Sequence, residues 1–151
     1  MERPLRILST ETPHTSYLKI SEGCDHTCAF CAIPGFRGLH RSAPLPELVA
    51  EARALAWQGV KEFNIISQDT TWYGRDLRRK DSSAPLLPEL LRALVAETDV
   101  QWLRLFYMYP SGITREMVEL MASEDALLPY LDMPLQHGSD RILAAMRRPE
   151  R

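Results

Sequence analysis

Short apolar runs and strictly alternating stretches take turns with longer stretches in which apolar residues recur every three or four positions. This exchange of periods predicts four strand-then-helix units. Ser16 to Ile20 alternates, with Leu18 and Ile20 opposite Tyr17 and Lys19, and predicts a first strand. After Pro44 and Pro46, Glu47 to Gln58 sets Leu48, Val49, Ala52, Leu55 and Ala56 at helical spacing, with Gly59 just beyond. Val60 to Ser67 reads as a second strand and the polar stretch Gln68 to Ala84 as a long loop. Pro85 to Thr98 carries a stripe of Leu86, Leu87, Leu90, Leu91, Leu94 and Val95, and Gln101 to Tyr107 is the expected third strand. Thr114 is the expected N-cap of a helix bearing Met117, Val118, Leu120 and Met121. Tyr130 to Leu135, broken by Pro134, reads as a fourth strand, and Ser139 as the cap of a last helix through Ile142, Leu143 and Met146.

Units joined by crossovers of this length require parallel neighbouring strands, so the class is α/β with about four parallel βα units. Periodicity alone leaves open whether the sheet is flat and doubly wound or curved toward a barrel. In both cases the loops that follow the strands share one face, where the sites of such folds collect. That face receives a cysteine-bearing segment after strand one, Gln68-Asp69-Thr70 after strand two and Gln136-His137-Gly138-Ser139 after strand four.

Composition narrows the chemistry. With 151 residues, 45% hydrophobic and 25% charged, the chain can bury a core without disulfide staples, which frees its three cysteines for other work. No apolar run approaches the roughly 18 residues of a membrane span, and MERPLRILSTETPH lacks the apolar core of a signal peptide, so a cytoplasmic protein without membrane contact is expected. The net charge of -2 gives no overall basic field for nucleic acid. A local basic run, Arg75, Arg78, Arg79 and Lys80, is read as a solvated face or a contact for RNA or an acidic partner.

All three cysteines lie in EGCDHTCAFCAIPGFRGLHRS, residues 22 to 42, as Cys24, Cys28 and Cys31. The C-x3-C-x2-C spacing would share one face of a helix, but Gly23, the polar Asp25-His26-Thr27 and Pro34-Gly35 suit a loop. Zinc would need a fourth ligand from His14, His26, His40 or His137, and there is no second cysteine pair. A 4Fe–4S cubane held by three thiolates leaves one iron open for a substrate or cofactor.

The motif, with Phe30 just before its last cysteine, resembles the radical S-adenosylmethionine (SAM) superfamily. The resemblance runs from about Thr12 to Pro149 and implies a partial (β/α) barrel of the radical SAM type. It implies that Cys24, Cys28 and Cys31 ligate a 4Fe–4S cluster whose open iron chelates SAM. An electron from the cluster then cleaves SAM to methionine and a 5′-deoxyadenosyl radical, so an electron donor is an implied partner.

The stretches TPH, YLKISEGC, CAIPGFRG and HRS resemble the methylthiotransferases within that superfamily. ISQDT, FYMYP, DMPLQHGSDRIL and MRRP favour the branch that modifies an aspartate β-carbon of small-subunit ribosomal protein S-twelve over the branch that modifies a tRNA adenosine. Carried onto these positions, the resemblance sets Phe30 against the adenine, Gln68 and Asp69 near the methionine end of SAM, and Gln136 and Ser139 near its ribose or methionine. It assigns no side chain a catalytic role. Arg37 and Arg41 are read as partners for the cluster, the SAM carboxylate or an acidic substrate, or as surface salt bridges. Trp72, Tyr73, Tyr107 and Tyr109, near strand ends, are read as core or rim packing ahead of the alternative that they line a substrate channel. The expected organisation is a linker over 1–15 and a truncated, monomeric radical SAM core over 16–151. A domain with a second 4Fe–4S cluster and a TRAM domain belong to the family's pattern and are absent from this sequence.

Overall fold

A computed structural model describes residues 8–149. In chain order the elements are β1 (Thr15–Lys19), β2 (Ser21–Glu22), α1 (Ile33–Arg37), β3 (Arg41–Ser42), α2 (Leu45–Trp57), β4 (Glu62–Ile66), α3 (Arg75–Arg78), α4 (Leu87–Glu97), β5 (Trp102–Leu105), α5 (Arg115–Ser123), β6 (Leu127–Leu131) and α6 (Asp140–Ala145). Single 3-10 turns follow β4 at Thr70–Trp72 and β5 at Pro110–Gly112. Of the expected linker 1–15, the first seven residues lie outside the described residues.

The main sheet is four-stranded and parallel, in the order β1-β4-β5-β6. Each new strand is added on the same side of the last, so right-handed crossovers put the helices on one face. Side-chain alternation agrees. Leu18, Phe63, Ile65, Leu103 and Leu105 are buried under the helices with Leu48, Leu55, Leu90, Leu91 and Leu94. The intervening positions, Tyr17, Lys19, Glu62, Asn64 and Arg104, place polar groups on the other face, where Arg104 Nε donates to Glu62 Oε1 at 2.7 Å. A doubly wound sheet is apolar on both faces; this one-sided sheet with a polar inner face is a partial barrel, the second of the two arrangements left open by the pattern.

Helix boundaries follow local chemistry. Pro44 caps α2, and Pro46 sits in its first turn, where a missing N–H costs nothing, so the helix starts two residues ahead of the predicted Glu47. Glu89 reaches back to the Leu86 N–H at 3.1 Å and fixes the start of α4. Thr114 caps α5 as expected, its hydroxyl accepting from the Met117 N–H at 3.1 Å. Gln68 to Ala84 contains a 3-10 turn and the short α3 rather than loop alone. The fourth strand departs most from expectation, occupying Leu127–Leu131 instead of Tyr130 to Leu135. Leu103 and Leu105 of β5 face Leu127 and Leu131, so β6 bulges between them and accommodates Pro129 at the sheet edge.

Candidate functional site

Because the strands are parallel, the segments after β1, β4, β5 and β6 emerge at one end of the sheet. They are tied there to one another. Thr70 N donates to Tyr107 O at 3.0 Å, Thr70 Oγ1 to Phe106 O at 2.6 Å, and Met108 N to Asp132 O at 2.9 Å. The cysteine segment is anchored at both sides, by Cys24 N to Gly38 O at 3.0 Å and by Ala29 N to Met146 O at 3.0 Å. Gly23 is required at its start: φ is 78°, and a Cβ would stand 2.2 Å from Leu39 O. The antiparallel pair β2 and β3 closes the segment.

Cys24 and Cys28 are buried, Cys31 is half-buried, and all three are free thiols. They lie on irregular chain, as the polar and glycine residues around them predict, rather than on one helix face. Burial pushes the Cys24 thiol up, with Asp69, Cys28 and Cys31 contributing repulsion of its ionised form. Among the described residues no three Cys, His, Asp or Glu side chains converge closely enough to hold one metal ion. A cubane spreads its thiolates over separate irons and does not need them to converge on one point.

Around the thiols stands a column of rings and guanidinium groups that no local pattern announces. His26 stacks on Tyr109 with centroids 4.0 Å apart and an interplanar angle of 2°. The Trp72 and His26 ring centroids are 4.3 Å apart, tilted by 44°, Arg75 is 5.1 Å over Trp72, and Arg148 is 3.8 Å over Tyr109. His26 Nε2 lies 2.7 Å from Asp69 Oδ2; a carboxylate can only accept, so the imidazole donates. Tyr109 Oη is 3.4 Å from Cys28 Sγ, and burial together with Cys28 pushes its phenol well above the usual range. Arg148 Nη1 donates to the same sulfur at 3.6 Å. Its position 120 residues from Cys28 hid the contact from the sequence.

The residues assigned by sequence divide. Gln68 Oε1 is buried without a hydrogen-bond partner, an acceptor available to a bound amine. Asp69, 1% exposed, is already engaged by Thr71 N at 3.0 Å, Thr71 Oγ1 at 2.6 Å and His26. Phe30 is 56% exposed beside Cys31. Gln136 is exposed with a left-handed φ of 62° and lines a cleft of ≈ 740 Å³ with Pro110, Ser111, His137 and Leu143. Ser139 stands at the N-cap position of α6 but its hydroxyl makes no capping bond; its N–H donates instead to His137 Nδ1 at 2.9 Å. A second cleft of ≈ 580 Å³, sharing Ser111 and Pro149 with the first, is lined by His26, Trp72, Arg75 and Arg148. Both fall in the size range of small-molecule sites, roughly 300–1,000 Å³.

Arg37 forms a surface pair with Glu22 at 3.3 Å, and Arg41 is exposed. The basic run divides as well: Arg78 pairs with Glu89 at 3.5 Å and Arg79 with Asp25 at 3.8 Å, while Arg75 lines a cleft. Tyr73 is core, Tyr107 is 52% exposed, and Tyr109 reaches a cysteine.

A singly wound partial barrel with a three-cysteine segment after its first strand defines a class of cluster-dependent enzyme. The chain belongs to the radical SAM superfamily, whose family model matches residues 18–151 and whose enzymes use a 4Fe–4S cluster and SAM. It is 53% identical over 144 residues to a protein of Symbiobacterium thermophilum named ribosomal protein uS12 methylthiotransferase RimO, and 49% identical over 143 residues to the protein of that name from Aquifex aeolicus. Each match covers 95% of this chain, which spans 29% and 32% of those relatives' lengths. The fold is shared with a radical SAM methyltransferase, TsrM from Kitasatospora setae, solved with cobalamin and a 4Fe–4S cluster bound. That likeness has a TM-score of 0.66 at 19% identity and covers 90% of this chain and 25% of the other. Among the described residues no helix is long and apolar enough to cross a membrane.

Proposed function

We propose that this chain is the cluster- and SAM-binding core of a cytoplasmic methylthiotransferase acting on an aspartate of ribosomal protein uS12. The observation that carries the reading is the anchored segment after β1, which holds three free thiols at the end of the sheet where the other strand loops gather. The donor set fits a cubane: three sulfurs supply three iron ligands, and the surrounding Tyr109 and Arg148 donors complement the negative charge of thiolate ligation.

When bound, the cluster and SAM supply a carbon-centred radical able to abstract hydrogen from an unreactive carbon. The chain's own residues bind and orient. Cys24, Cys28 and Cys31 are the iron ligands. Gln68, with its orphaned buried oxygen, accepts from the SAM amino group, and Phe30 offers an aromatic face for the adenine. Gln136 bounds the ribose end at the larger cleft, and Ser139 follows at the N-cap of α6. Asp69 serves the site by holding His26 and Thr71. Residues 16–151 form the core. In the full enzyme, a domain with a second cluster, a TRAM domain and an external electron donor complete the reaction on a monomeric protein.

The test is reductive SAM cleavage. Anaerobically reconstituted chain, given dithionite and SAM, is expected to release 5′-deoxyadenosine, and Cys28→Ala to abolish it. A folded, reconstituted wild-type protein that leaves SAM intact contradicts the reading. Methylthiolation of uS12 by this chain alone would contradict the need for a second-cluster domain to complete the reaction.

A further inference from the structure

Cys28 differs from the other two thiols in its surroundings. Its sulfur faces the Tyr109 hydroxyl at 3.4 Å and Arg148 Nη1 at 3.6 Å. Among the described residues, no side-chain donor is placed in this way on Cys24 or Cys31.

Two features aim Arg148 there. The end of α6 is a Schellman turn, with Arg148 N donating to Leu143 O at 2.9 Å and Arg147 N to Ala144 O at 3.0 Å. The turn puts Arg147 at φ 55°, a conformation usually left to glycine, and the strain is retained where the chain must reverse. Where such turns commonly bury an apolar side chain, this one buries a guanidinium, 2% exposed, stacked on Tyr109 and donating to Pro134 O at 3.2 Å. The bond from Ala29 N to Met146 O fixes the same turn to the cysteine segment. Burying a cation is costly unless it is hydrogen-bonded, and the Pro134 carbonyl, the Tyr109 ring face and the Cys28 sulfur are among the groups that receive this one.

We propose that Tyr109 and Arg148 are a donor pair for the Cys28 sulfur that raises the reduction potential of the cluster ligated there. The proposal rests on the cluster reading above. Reduction adds one electron from an external one-electron donor and breaks no bond in the protein. Hydrogen bonds and positive charge at a ligating sulfur stabilise the more negative, reduced cluster, so removing them makes reduction harder. Both residues act through Cys28 and are positioning residues.

The experiment is a spectroelectrochemical titration, without substrate, of anaerobically reconstituted wild type, Tyr109→Phe and Arg148→Gln. Tyr109→Phe keeps the ring on His26 and removes only the hydroxyl. It is expected to shift the reduction equilibrium about tenfold against the reduced form, about 59 mV for a one-electron couple. Arg148→Gln, which also removes charge, is expected to shift it further in the same direction. If Arg148→Gln fails to fold, Arg148→Met, which removes the charge and the donors, replaces it with the same sign expected; if both fail, Tyr109→Phe decides. Unchanged or raised potentials in the folded variants overturn the proposal, as does a folded Tyr109→Phe protein that takes up no cluster. A folded wild type that takes up no cluster instead overturns the cluster reading itself, which keeps the two failures distinct.

Discussion

His26 Nε2 and Asp69 Oδ2 stand 2.7 Å apart, joining the middle of the cysteine segment to the loop after β4. Asp69 is 1% exposed and also accepts from Thr71 N and Thr71 Oγ1, so one buried carboxylate organises two of the loops at the site. Asp69→Ala strands these donors and is expected to cost about 3 kcal/mol in urea unfolding. A double-mutant cycle with His26→Ala should return a coupling of about 1 kcal/mol or more. Additive effects would mean that the two side chains do not act together.

Gly112, in the turn after β5, sets the spacing of the same unit. A Cβ there would meet Thr71 Oγ1 at 1.9 Å and Thr71 Cβ at 2.4 Å. Gly112→Ala is expected to destabilise by about 1–3 kcal/mol. Thr71→Ala in the same chain removes the hydroxyl in the way, so thermal unfolding of the double variant should show less than the sum of the single losses.

The buried His40 gives the cysteine segment a pH dependence. Burial lowers its pKa, outweighing the attraction of Asp76, Asp25 and Asp69, and its Nδ1 is buried without a hydrogen-bond partner. Folding therefore favours the neutral ring. The folded pKa lies below the unfolded one, near 6.5, so the unfolded state binds more protons in between and stability falls as pH drops through that window. For Asp76, burial acts upward but hydrogen bonds from Ser42 prevail and hold the carboxyl low. Its contribution is present above the unfolded carboxylate value and is lost only in acid, below about pH 4. Between about pH 7 and pH 5.5, wild type should lose stability with a slope of up to about 1.4 kcal/mol per unit, and His40→Gln should flatten that slope. An equal slope in the variant would assign the effect elsewhere.

The strand-and-helix order was legible because the apolar period changes at each junction, and the Thr114 cap because it depends on adjacent residues. The placement of β6 was not, since its bulge around Pro129 answers to pairing with β5 rather than to its own alternation. Cys24, Cys28 and Cys31 announced themselves by spacing. Tyr109 and Arg148 did not, because they reach Cys28 only through tertiary folding. His26 stood out only as a possible zinc ligand, and its polarity between two cysteines gave no sign of the Asp69 bond or the stack on Tyr109. Asp69 was singled out by its place after the second strand, but that position gave no sign of its bonds to Thr71 and His26.

The edge strand β6 carries Tyr130 at 40% and Leu131 at 39% exposure, on a strand with one side unpaired among the described residues. Such an edge invites pairing with another copy. Size-exclusion profiles of this chain should shift toward larger species as concentration rises, and Leu131→Lys should suppress the shift. Concentration-independent elution of the wild type would contradict it.

Anaerobic reconstitution of the wild-type chain, followed by iron and sulfide analysis and electron paramagnetic resonance of the reduced protein with and without SAM, is the most direct measurement. The expected result is about four iron and four sulfide per chain, as a cubane requires, with a signal that SAM perturbs and Cys28→Ala removes. A folded chain that takes up zinc but no iron and sulfide, or a cluster signal indifferent to SAM, would contradict it.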